Sequence, residues 1–113
     1  MRQGDIYFVS LDPVAGREQR GLRPVIVLTS EAFNRLTGSP LVAAITTGGD
    51  FARRNNFAIE LPMAGMKTTG IVRCDQIRTL DIAARGGRFV EAAPHIVIDD
   101  ILSLLGIILA RVT

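Results

Sequence analysis

Up to Pro94 this chain is cut by glycine, proline and polar clusters into short apolar runs, and only beyond Pro94 does an apolar pattern persist for helical length. That division limits the fold. Short β-branched runs bounded by turn formers read as strands, whereas apolar positions recurring at i, i+3, i+4 and i+7 read as a helix. The strand-like runs are Asp5 to Leu11 (DIYFVSL), Pro24 to Ser30 (PVIVLTS), Leu41 to Thr47 (LVAAITT), Phe57 to Leu61 (FAIEL) and Gly70 to Asp81 (GIVRCDQIRTLD). Arg23 precedes a proline and is thereby biased to extended backbone. Ser30 can cap a short helix over EAFNRL. Asp12 to Arg23 reads as a loop, Gly48 to Asn56 (GGDFARRNN) as a basic loop, and PMAGMKTTG as a turn. TLDIAARGGR contains a turn or one helical turn closed by Gly86 and Gly87.

Proline is welcome at a helix start, so PHIVIDDILSLLGIILARV reads as a C-terminal helix from Pro94. Ile98, Ile101, Leu102, Leu105, Ile108 and Leu109 follow its period, and Val97, Leu104 and Ile107 widen the apolar face beyond one stripe. Such a helix either lies in the core or also touches a partner subunit. Several short strands with one terminal helix point to a mostly-β barrel or curled sheet, built as one domain over residues 1–113.

Composition removes several function classes. At 48% hydrophobic residues the chain is too apolar to be disordered, and for its size it is expected to hide surface in an oligomer. No run of about 20 apolar residues spans a bilayer, and MRQGDIYFV lacks an apolar signal core. Cys74 is the sole cysteine, so no intrachain disulfide forms, and a cytoplasmic protein is expected. His95 is the sole histidine, which leaves no His/Cys metal cluster and no histidine-activated nucleophile to build. A Walker loop and a GxGxxG motif are both missing. The formal charge of +2 does not by itself mark a nucleic-acid binder. Lys67 is the only lysine; the other basic residues are arginines, which suit bidentate contact with phosphate or carboxylate.

Arginine, carboxylate and hydroxyl chemistry remains. Arg73 and Asp75 lie two residues apart in a strand, so they share a face, and the strict alternation adds Ile71 and Ile77 to it. Alternate Cα atoms are roughly 6.5 Å apart, within reach of an arginine side chain. The pair reads equally as a structural ion pair or as a functional one, because such a pair is costly on a half-buried face. Loop REQRGLR gathers Arg17, Glu18, Gln19, Arg20 and Arg23, with Arg23 at a cleft edge before a buried strand. ITTGG ends a strand with Thr46 and Thr47, whose hydroxyls and the following N–H groups suit a phosphate or an ordinary turn.

Four segments together resemble one family. G-D-I-Y at Gly4, G-x-E-Q-x-G-x-R-P at Gly16, I-T-x-G-G at Ile45 and R-C-D-Q-x-R-T-L-D at Arg73 are similar to the Kid/PemK–MazF toxins, nearest the Kid/PemK branch. The resemblance covers nearly the whole chain. It implies an SH3-like β-barrel (CcdB/Kid/PemK-like) with a C-terminal α-helix, a homodimer, and the toxin of a type II toxin–antitoxin module. It implies metal-independent, sequence-specific cleavage of single-stranded RNA, mainly mRNA, without a cofactor. A cognate antitoxin protein is the expected partner, with DNA reached only through it, and no membrane. The resemblance makes Arg73, Asp75 and Arg23 the catalytic candidates. It assigns RNA binding to Arg17, Glu18, Gln19, Thr46, Thr47, Phe57, Thr69, Gly70 and Gln76, with Ile71 and Val72 nearby.

Two departures stand out. Arg17 occupies a position where the Kid branch commonly has histidine, and arginine cannot release a proton near neutral pH. Asp50 replaces the asparagine of the usual G-G-N. The chemistry then expected is transesterification by the RNA 2′-hydroxyl, with Asp75 as general base and Arg73 on the phosphate oxygens. The alternatives are a gyrase-poisoning toxin of the same fold and a catalytically inactive RNA-binding module.

Overall fold

The computed structural model describes residues 1–12 and 20–111. Arg17, Glu18 and Gln19 lie outside the described residues. The chain runs β1 (Asp5–Ser10), β2 (Leu22–Val27), α1 (Glu31–Thr37), β3 (Leu41–Thr46), α2 (Asp50–Arg54), β4 (Ala58–Glu60), β5 (Ile71–Thr79), β6 (Arg88–Ala92) and α3 (His95–Ile108). The strands form one antiparallel sheet in the order β4-β5-β3-β2-β1-β6.

Alternation sorts the strand residues onto two faces. Ile6, Ile26, Ala43, Ile45, Val72 and Cys74 meet Val97, Ile98, Ile101 and Leu105 of α3 in one core. Val9, Leu11, Val25, Val27, Val42 and Ala44 turn to the other face and are covered by Leu80 and Ile82. Both faces of the central strands are therefore dry, which is why PVIVL is continuously apolar rather than alternating.

The expected SH3-like barrel is met only in part, because among the described residues β4 and β6 are free edges and no ladder closes the sheet. The sheet is nonetheless strongly curled. Five strand spacings in a flat sheet would put its edges roughly 24 Å apart. Instead the Glu91 carboxylate of β6 accepts hydrogen bonds from Lys67 N at 3.0 Å and Thr68 N at 2.7 Å, in the β4–β5 connection. A side chain bridges the edges where a barrel would have backbone pairing.

Local chemistry agrees with most expected boundaries. The Ser30 hydroxyl accepts from Phe33 N at 3.3 Å, and Gly38 closes α1 at φ 69°. Three features differ. GGDFARRNN holds the short helix α2, with Asp50 in its first turn and Arg53 and Arg54 in its last, an arrangement that suits the helix dipole. RFVEA forms edge strand β6, paired among the described residues with β1 alone. Strand β5 is bulged: Ile45 pairs with Val72 but Ala43 pairs with Ile77. One intervening residue on β3 thus faces four on β5, which breaks the alternation. Ile71 shares a face with Arg73, but Ile77 instead pairs with Ala43 and packs against the helix-side core.

Candidate active site around Arg73 and Asp75

The bulge is what presents the pair. Arg73 sits on the face away from α3, opposite Ala58 of β4. Its Nε and Nη2 donate to Asp75 Oδ1 and Oδ2 at 2.8 and 2.6 Å, a two-pronged charge-assisted contact. The side chains are 9% and 15% exposed, so the pair is largely removed from water with one rim open. The hydrogen bonds it donates to Asp75 hold the guanidinium pKa above its ordinary value; burial opposes this and the carboxylate charge adds to it. Cys74 between them faces the helix-side core, and burial, reinforced by the Asp75 charge, pushes its thiol up to about 11. It is a packing residue, not a nucleophile.

Thr46 and Gly70 form the wall beside the pair. Thr46 is buried and pairs with Ile71 across the β3–β5 ladder; its hydroxyl accepts from Gly48 N at 3.2 Å. Gly70, at φ +118°, lies so close that an added Cβ would stand 2.4 Å from the Thr46 carbonyl oxygen. Gly49 likewise covers the pair, because a Cβ there would be 2.8 Å from Ile71 Cδ1 and 3.1 Å from Arg73 Cδ. Gly49 lets its loop press onto the arginine stem, and Gly70 lets the start of β5 press onto the Thr46 backbone.

Other expected residues fall around this centre. Gln76 follows Asp75 yet also turns from the helix, lining a small cavity with Leu11, Val25, Val42, Ala44, Ile77 and Arg78. Two consecutive residues on one face is the signature of the bulge. Arg23 pairs with Val9, so it shares the face of Val25 and Arg73; its Nε donates to the Arg20 carbonyl at 3.2 Å. The β2–β3 register, carried on from Val25↔Ala44, sets Arg23 across from Thr46. Thr47 and Thr69 are exposed at the loop ends. Phe57 is half-buried, with its ring 6.4 Å from that of Phe51 on α2.

Sequence reasoning missed Phe51, Gly49's contact with Arg73, the Arg53–Glu60 ion pair beside β4, and the Glu91 bridge. An aromatic inside an otherwise polar, basic segment was a signal for Phe51. Glu91 had none, since its partners lie 23 and 24 residues away. Among the described residues no group of three His, Cys, Asp or Glu side chains is placed to hold a metal ion, and no helix is long and apolar enough to cross a membrane.

Comparison with known proteins places this geometry. The profile of a family described as PemK-like, MazF-like toxin of type II toxin-antitoxin system matches residues 2–109. The chain is 50% identical over 109 residues to Endoribonuclease PemK of Escherichia coli, covering 96% of this chain and 82% of that protein. The crystal structure of MazF from Deinococcus radiodurans superposes with a TM-score of 0.87 at 30% identity, covering 98% and 97% of the two chains. A MazE-MazF structure from the same organism gives 0.80 at 30% identity, covering 96% and 95%.

Proposed function

Because the chain belongs to the PemK-like, MazF-like toxins of type II toxin–antitoxin systems, we propose that it is an endoribonuclease toxin that cuts single-stranded RNA and so halts translation. One observation carries the reading from family to chemistry: a forked Arg73–Asp75 pair, nearly buried yet open at one rim, beside Thr46, Gly70 and Ile71.

RNA brings its own nucleophile. Asp75 accepts the 2′-hydroxyl proton through a lone pair that Arg73 leaves free. The 2′-oxygen attacks the adjacent phosphorus, and the bond from phosphorus to the 5′-oxygen breaks. The products are a 2′,3′-cyclic phosphate and a 5′-hydroxyl. Arg73 uses two of its five N–H donors on Asp75 and keeps three for the non-bridging oxygens as charge builds there. Its raised pKa makes it a poor acid, so the departing 5′-oxygen takes its proton from water. Arg23, on the same face, supports the phosphate from the β2 side.

Thr46, Thr47, Thr69, Gly70 and Gln76 line the path of the strand, and Phe57 with Phe51 offers aromatic faces to splayed bases. Arg17, Glu18 and Gln19, outside the described residues, are RNA-binding residues in this reading. Residues 1–113 act as one toxin domain. Its partners are a second copy, supported by the exposed Ile96, Ile107 and Leu109 of the α3 segment, and a cognate antitoxin protein, supported by the MazE-MazF relatives.

The test is a defined single-stranded RNA incubated with the parent and Asp75→Asn, both with EDTA, with product ends mapped. Cuts at a short motif leaving cyclic phosphate and 5′-hydroxyl are expected for the parent, with a loss on the order of 100- to 10,000-fold in the variant. Uncut RNA with folded parent protein would overturn the proposal.

A further inference from the structure

The Arg73–Asp75 strand is weakly anchored at its leading end. Before the bulge, β5 is tied to β3 by Thr46↔Ile71 and Ile45↔Val72, and its other neighbour β4 spans three residues. Ahead of Ile71 comes the connection from Leu61 to Gly70, closed at its base by Leu61 N donating to the Gly70 carbonyl at 3.0 Å. The position of Gly70 sets that of Thr46, because their backbones touch.

This connection is gripped from outside by one carboxylate. Glu91 Oε2 accepts from Thr68 N at 2.7 Å, Thr68 Oγ1 at 2.7 Å and Lys67 N at 3.0 Å, and Oε1 accepts from Lys67 N at 3.1 Å. Thr68 is buried by the contact. Glu91 belongs to β6, at the opposite end of the strand order from β4. Bonds to an ionised acceptor are shorter and stronger than neutral ones.

We propose that Glu91 is a positioning residue for the reaction: it latches edge strand β6 onto Lys67 and Thr68 and thereby holds Gly70 and Ile71 where Arg73 and Asp75 meet the RNA. This rests on the ribonuclease reading for its catalytic consequence, but the latch itself has a readout that needs no RNA. With Glu91 removed, the connection is free to pivot about the Leu61–Gly70 bond, and only the short ladders to β3 at Thr46 and Ile45 and to β4 at Ala58–Glu60 hold the leading end of β5. A displacement of about 1 Å at the reacting groups costs up to roughly 100-fold in rate.

The experiment compares the parent with Glu91→Ala and Glu91→Gln. Amide hydrogen exchange is followed at Lys67 to Arg73 and at Thr46, and cleavage is measured well below the melting temperature of all three. In Glu91→Ala, faster exchange is expected at Thr68, Gly70 and Ile71, with a kcat lowered 10- to 100-fold. Glu91→Gln should recover part of both, since its amide oxygen still accepts from Thr68. Unchanged exchange at these amides would overturn the latch, whether or not the parent cleaves RNA. Altered exchange with parental kcat would reduce Glu91 to a structural tie and overturn the positioning role. A parent that cuts no RNA while Glu91→Ala shows the altered exchange would overturn the ribonuclease reading, and the positioning role with it, and leave the latch standing.

Discussion

An ion pair as dry as Arg73–Asp75 should not be a net stabiliser, and that makes its role measurable. Exposed pairs contribute about 1 kcal/mol or less, but side chains 9% and 15% exposed belong to the buried regime. There, removing one partner strands the other charge at a cost of about 3–5 kcal/mol. Replacing both with apolar residues of similar bulk is neutral or stabilising by about 1–4 kcal/mol. Arg73→Met and Asp75→Leu should therefore each lower the urea midpoint sharply, whereas the double variant should recover the parental midpoint or exceed it. All three should lose RNA cleavage. A chain that keeps a pair its fold does without keeps it for chemistry. A double variant less stable than both single variants would refute this reasoning, since the pair would then hold the bulge of β5 in place. A double variant that still cuts RNA would refute the catalytic assignment outright.

Three further outcomes follow from particular contacts. Gly70→Ala should be both unstable and inactive: strain at φ +118° costs on the order of 1–3 kcal/mol, and the new Cβ meets the Thr46 backbone at 2.4 Å, so thermal melting and cleavage should fall together. Cys74, with its thiol pushed to about 11 in the core, should resist a thiol reagent at pH 8 in the native protein and react fully once unfolded. Burial would raise the Glu91 carboxyl, but hydrogen bonds from Thr68 and Lys67 and the Lys67 charge outweigh it and hold its pKa below the ordinary value. A depressed folded-state value means stability present above the unfolded pKa and lost as pH falls through the folded one. The parent should therefore lose more stability on acidification than Glu91→Gln, the two curves converging at the acid end; parallel curves would contradict the latch.

Local chemistry determined much of this protein before any tertiary contact is considered. Runs such as PVIVL and LVAAI become strands because β-branched side chains suit a pleated, buried surface. Ser30 and Gly38 bound α1 through caps that need only neighbouring residues. The period after Pro94 yields α3, although the helix ends at Ile108 rather than running on to Val112. Arg73 and Asp75 were legible as partners because their spacing alone puts them within reach of each other. Motif spacing, with Thr46, Gly70 and Arg23 in it, was legible as a family likeness.

Long-range pairing decided the rest. Strand β6 is too short and too weakly patterned to declare itself, and exists because β1 offers it an edge. The bulge that moves Ile77 to the helix side while leaving Asp75 and Gln76 on the other depends on β3 pairing with both ends of β5 at once. Curling of the sheet, open at β4 and β6 and bridged by Glu91, arises from contacts more than 20 residues apart in the chain. Periodicity sees neighbours within a turn or a strand. It carries no information about which distant backbone a glycine will touch or which carboxylate will find two N–H groups, and those contacts are what set the geometry around Arg73 and Asp75.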